Sequence, residues 1–124
     1  MRRGYRTLVQ SWNLLEIEAP EGTRDPVVIH SEHEARAVLI RLLPGQELGD
    51  HQVKENAWVT VLGGRVRVSA GGEQIEAGPG ALLRFDPDER HSIAADEEAR
   101  ILLMLAPWPG DGHYRGSDPE RPRT

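Results

Sequence analysis

Between residues 27 and 107 the chain is a succession of short apolar runs separated by turn-forming residues, with no helical spacing between them. The runs are Val27 to His30, Ala35 to Leu43, Ala57 to Leu62, Arg65 to Val68, Gln74 to Ala77, Ala81 to Phe85, a segment from His91, and Arg100 to Ala106. Pro44-Gly45, Gly63-Gly64, Gly71-Gly72, Gly78-Pro79-Gly80 and Asp86-Pro87-Asp88 punctuate them. Gly63-Gly64, standing between two such runs, predicts a tight hairpin, because a positive φ costs glycine little. Strands recurring at this spacing without helices predict an all-β sandwich or barrel. Arg65 and Arg67 flank Val66 and Val68 in strict alternation and are assigned to the solvent face. Trp58 follows Ala57 and points to the opposite side of its strand, toward the arm or a partner subunit.

The ends differ from this body, and the expected organisation is an arm at 1–26, a β domain at 27–107 and a flexible tail at 108–124. In the arm, Leu8, Val9, Trp12, Leu14, Leu15 and Ile17 sustain neither period 2 nor period 3.6, and a breaker cluster from Ala19 to Pro26 follows them. Left bare they would form an apolar patch, so the arm is expected to cover the barrel or cross to a second subunit. The tail is rich in proline, glycine and charge, with Trp108 and Tyr114 as its docking residues.

The 124 residues suffice for one core and not for two ordinary domains. No run approaches the ~18 apolar residues that span a bilayer, and a cytoplasmic protein without membrane contact is expected. Fifteen basic against twenty acidic residues give a net charge of −5, which argues against a nucleic-acid partner. Zero cysteines exclude disulfides, iron–sulfur clusters and thiolate zinc, leaving nitrogen and oxygen as the only metal-ligand chemistry.

Two stretches carry a family resemblance. Gly45 through His51 to Gly64 lies without a gap over the pattern G-x5-H-x-H-x3-4-E-x6-G, matching both glycines and the first histidine. Gly80 to Ala95 lies over G-x5-P-x-G-x2-H-x3-N, matching Gly80 and His91, with Pro87 displaced by one and Ala95 in place of the asparagine. Over residues 35–106 the chain therefore resembles the cupin superfamily, the RmlC-like double-stranded β-helix or jelly-roll barrels. The resemblance implies that fold, with a metal site in the barrel mouth formed by two histidines and a glutamate of the first motif and the histidine of the second.

Here Val53 and Ala57 occupy two of those positions. The resemblance thus carries over only His51 and His91 as metal ligands, implying a divalent ion (iron, manganese, nickel or zinc) that is weakly held or absent. Glu55 has the same alternation parity as His51. An extended loop would turn it inward as a third ligand, whereas the default beside Lys54 and Asn56 is a solvated carboxylate. Arg84 interrupts the run Ala81 to Phe85: inside the barrel it would anchor a ligand's carboxylate or phosphate, and outside it would pair with a glutamate such as Glu76. His30 and His33 are expected at the surface or an interface, and His113, a lid candidate, in the exposed tail.

The favoured reading is a small-molecule-binding protein, homodimeric through an outer face, with a degenerate two-histidine site. The alternatives are a metal-dependent enzyme of oxygenase or isomerase type using His51 and His91, and a metal-free enzyme like the sugar-nucleotide epimerases of this superfamily, with a mouth histidine as acid or base.

Overall fold

The computed structural model describes residues 9–19 and 26–110, with residues 50 and 51 described by their backbone alone. The described body is all β: β1 (Val27–Glu32), β2 (Ala35–Leu42), β3 (Glu47–His51), β4 (Asn56–Gly63), β5 (Val66–Ala70), β6 (Glu73–Ala77), β7 (Leu82–Phe85), β8 (His91–Ala95) and β9 (Ala99–Ala106). They form two antiparallel sheets, a five-stranded one in the order β1-β2-β9-β4-β7 and a four-stranded one in the order β3-β8-β5-β6. Neighbours in each sheet are mostly distant in sequence, as in a jelly roll, where successive strands alternate between two facing layers. No helix among the described residues is long and apolar enough to cross a membrane.

The core lies between the sheets and is built by period-2 alternation. Ala57, Val59 and Val61 of β4, Val66 and Val68 of β5, Ile93 and Ala95 of β8, and Ile101 and Leu105 of β9 are all buried there. Burial of each Val, Leu or Ile side chain stabilises by roughly 1.5–3 kcal/mol, so these inward rows hold the layers together.

Two expectations change. Gly63-Gly64 does not make a hairpin, because β4 and β5 belong to different sheets and the chain crosses between layers there. Gly64 has a φ of 78°, and a Cβ on it would stand 2.0 Å from the Glu98 carbonyl oxygen, so its bareness serves a close backbone crossing. The hairpin glycines are Gly71-Gly72, between the paired strands β5 and β6. In addition, Glu47–His51 forms a strand that its mixed composition conceals.

The arm covers its own barrel. Leu39 is fully buried, yet it lies on the outer side of β2, opposite in parity to the core residues Val38 and Ile40. The arm docks on this side of the sheet: Arg100 Nη1 donates to the carbonyls of Leu14 (3.0 Å) and Ile17 (2.7 Å), and Arg41, two residues from Leu39 on the same face, reaches the Ala19 carbonyl. Leu14 and Ile17 are half-buried, while Trp12 and Leu15 face outward. Of the tail, Trp108 and Gly110 are buried against the barrel; His113 and Tyr114 lie outside the described residues.

Candidate functional site

β3 and β8 form the edge ladder where the two motif histidines meet. Leu48 pairs with Ile93, the register then slips, and His51 pairs with His91. Three steps along β3 match two along β8, the signature of a bulge, a device common beside active sites. The bulge decides that position 51, and not position 50, stands opposite His91.

His91 opens β8 and is only 3% exposed. Its Nδ1 lies 3.1 Å from the Glu89 carbonyl oxygen. A carbonyl only accepts, so Nδ1 carries the proton, and the neutral ring then presents its lone pair at Nε2. Histidines that bind metal are commonly oriented by such a backbone carbonyl. Phe85 stacks on the ring, with centroids 4.1 Å apart and planes 10° from parallel. Phe85 pairs in register with Ala57, so the stack is built on the inward side of β7 and β4.

The loop 52–55 closes over this end. Asp88 N donates to the Val53 carbonyl at 2.7 Å, Gln52 Nε2 donates to the Asp88 carbonyl at 2.7 Å, and Lys54 Nζ meets Asp88 Oδ1 at 2.8 Å. Asp88 holds a φ of 67° at the place of the second motif's inner glycine, and aspartate is among the few side chains that tolerate that region. The loop before His91 and the loop after His51 are thus tied to one another.

Glu55 departs from the solvated default. It is 1% exposed, with Val53 and Ala57 buried on the same parity, and its Oε2 accepts the Gly110 N–H at 2.8 Å. Lys54, its neighbour, points away to Asp88. A Cβ at residue 110 would stand 2.9 Å from the Lys54 carbonyl oxygen and 3.2 Å from Glu55 Cγ, so the approach requires glycine. The segment is seated by Trp108, whose N–H donates to the His33 carbonyl at 3.1 Å and whose ring lies 4.6 Å from the Arg36 guanidinium. The partner that draws Glu55 inward stands fifty-five residues away, beyond the reach of any local pattern.

Arg84 is not part of this end. It sits on the outer face of β7, bonded to Asp86 Oδ1 (2.8 Å) and Asn56 Oδ1 (2.6 Å), with its guanidinium 5.6 Å from the Trp58 ring. It does not line the mouth, and Glu76 is taken by Arg65 instead. Trp58 is outward, as its parity requires. His30 and His33 lie away from the core, and a grouping unseen in the sequence forms around the first. His30, Glu32 and Glu34 bring donor atoms within 4.8 Å of one another, with His30 Nε2 2.6 Å from Glu34 Oε1. That hydrogen bond holds the Glu34 carboxyl below its ordinary range. The available signal was the H-x-E-x-E alternation, and not the H-x-x-H spacing.

Two facing antiparallel sheets, with strand neighbours mostly distant in sequence, define a small double-stranded β-helix barrel. The chain belongs to the cupin superfamily: residues 38–106 match the Cupin domain family. Solved structures agree. An RmlC-like cupin from Desulfovibrio desulfuricans is 25% identical, with a TM-score of 0.72 over 80% of this chain and 97% of that one. A double-stranded β-helix protein from Klebsiella pneumoniae is 18% identical, with a TM-score of 0.71 over 82% and 94%. KdgF from a Halomonas species is 19% identical, with a TM-score of 0.62 over 66% and 78%. Among curated proteins, an L-ectoine synthase from Mycobacteroides abscessus is 32% identical over 53 residues, 43% of this chain. The match spans about two-fifths of that enzyme's length, 41%.

Proposed function

We propose that this cupin binds a small molecule at the β3–β8 end of its barrel, through His51, His91 and Glu55, with a weakly held divalent metal as the mediating ion. One observation carries the reading: among the described residues, the only buried polar or charged ones are Glu55 and His91. Buried ionisable groups cost stability that apolar side chains would not, and a barrel serving only as scaffold has no use for them. The donor chemistry fits a first-row ion, with imidazole nitrogen oriented by a carbonyl and a carboxylate nearby in the tied loop. Val53 and Ala57 supply no ligand, so water or the bound molecule would fill the remaining positions, and affinity would be low. Held by His51, His91 and Glu55, such an ion would supply Lewis-acid chemistry toward a carbonyl, water or oxygen. The protein itself orients the imidazole through Glu89 and excludes water with Phe85 and Val53.

Calorimetric titration with Ni2+, Zn2+ and Mn2+ tests this. One ion per chain is expected, with affinity falling at least tenfold in His91→Ala and unchanged in His30→Ala. Equal loss in both variants, or binding only at the His30 cluster, would remove the proposed site.

The partial likeness to an L-ectoine synthase supports a second reading, an enzyme acting on small molecules at the same end. NMR of L-ectoine mixed with the protein would show line broadening or consumption in this case; an unchanged spectrum rejects it.

A further inference from the structure

Arg36 stands on the inner side of the five-stranded sheet. It has the parity of Val38, Ile40 and Leu42, all core residues of β2, whereas Leu39 and Arg41 belong to the outer side. The ladders carry its level across the sheet: Arg36 pairs with Leu105, Leu105 with Ala57, and Ala57 with Phe85, whose ring stacks on His91. One row on the inner wall therefore joins Arg36 to the proposed binding end, roughly 14 Å of sheet at about 4.8 Å per strand.

Its partners set this arginine apart. Arg41, Arg65, Arg67 and Arg84 each meet a carboxylate, and Arg100 holds two backbone carbonyls. Half-buried Arg36 meets, among the described residues, the face of the buried Trp108 ring and no carboxylate. Glu34, two residues before it, is held by His30, and Glu55 accepts the Gly110 N–H. A cation partly withdrawn from water costs stability, of which a ring face returns roughly 0.5–2 kcal/mol. Stacking occupies the flat of the guanidinium and leaves its in-plane N–H donors to another acceptor.

On the reading of this end as a small-molecule site, we propose that Arg36 sets its specificity and that the ligand is a small carboxylic acid. The carboxylate lies against the donor edge of Arg36, beside Trp108, and the rest of the molecule extends along the row toward His91 and its ion. A single guanidinium offers one charge and a fork of donors, which matches a monoanionic carboxylate. A dianionic phosphate calls for more positive charge than one arginine brings, and the short row suits an acid of a few carbons.

NMR titration of the full chain with pyruvate, malate and succinate at constant ionic strength tests this. At least one acid should shift the Arg36 Nε–H and Trp108 indole resonances saturably, and succinamide should not. Affinity for that acid should fall at least tenfold in Arg36→Gln, less in Arg36→Lys, which keeps a charge over the ring but not the fork, and not at all in Arg84→Gln. Circular dichroism of Arg36→Lys should match the native chain. No saturable shift with any of the three acids, equal binding of succinamide, tighter binding of glycerol 3-phosphate, or equal loss in Arg36→Gln and Arg84→Gln would overturn the proposal. Nickel titration without acid reads the ion separately. Nickel binding lost in His91→Ala, with no acid bound by the native chain, would strike the carboxylate alone; acid binding without nickel binding would strike the ion alone.

Discussion

His91 and His30 each have an aromatic ring and an oxygen beside them, and the two settings could hardly differ more. His91 is buried, stacked flat on Phe85 and oriented by a backbone carbonyl. His30 is half-exposed, touched edge-on by Trp12 from the arm, and faces the Glu34 carboxylate. The Glu89 carbonyl belongs to a loop tied to residues 52–54 through Asp88, so the imidazole of His91 is held in one direction. A surface glutamate turns freely and is screened by salt. The contrast teaches that proximity of ligand-type side chains is cheap at a surface, whereas fixed orientation inside a barrel takes a dedicated set of neighbours.

The sharpest way to break this contrast is to remove each ring partner. Phe85→Ala should cost about 3–5 kcal/mol, as truncation of a buried phenylalanine does, and should loosen His91, seen as exchange broadening of its ring resonances. Trp12→Ala removes a half-exposed ring and should leave the denaturant midpoint close to native. Equal effects would mean that the interior stack organises no more than the surface contact does.

The carboxylates make a second, smaller test. Glu55→Ala leaves the buried Gly110 N–H without its acceptor and should cost about 1–3 kcal/mol, with faster amide exchange at Gly110. Glu55→Gln keeps an oxygen in reach and should lose less. Glu34→Ala removes only an exposed contact and should lower the denaturant midpoint far less than Glu55→Ala does. If Glu55→Ala were silent, the seating of residues 108–110 on the barrel would not depend on this contact.

The sequence made the layers legible and left the site half-hidden, for physical reasons that individual residues show. Alternation in Ala57, Val59 and Val61 against Trp58 and Thr60 reads directly as one buried face. Val38-Leu39-Ile40 does not alternate, because the arm covers the outer side and both faces are apolar. Gly63-Gly64 offers the same local freedom as Gly71-Gly72; only the approach of Glu98 distinguishes a layer crossing from a hairpin. The histidine of each motif was readable through the resemblance of residues 45–64 and 80–95 to the family's two motifs. The bulge that pairs position 51 with His91, and the Gly110 amide that draws Glu55 inward, arise from chain segments far apart in sequence.

The least effect, and the one specific to the surface cluster, is in acid. The hydrogen bond from His30 holds the Glu34 carboxyl below its ordinary value, backed by a backbone hydrogen bond and opposed slightly by burial. Between the lowered folded value and the ordinary unfolded one, the unfolded chain binds more protons, so stability rises with pH across that window. The contribution is complete above the ordinary carboxylate pKa and fades as pH falls through the folded value. Glu34 is exposed, so salt should shrink the slope. Urea midpoints measured from about pH 3 to pH 5 should therefore fall a little less steeply in Glu34→Gln than in the native chain, and the difference should vanish in high salt. A slope unchanged by the substitution at low salt would show that the His30–Glu34 contact is not held in solution, leaving the buried histidine as the one whose partners are fixed.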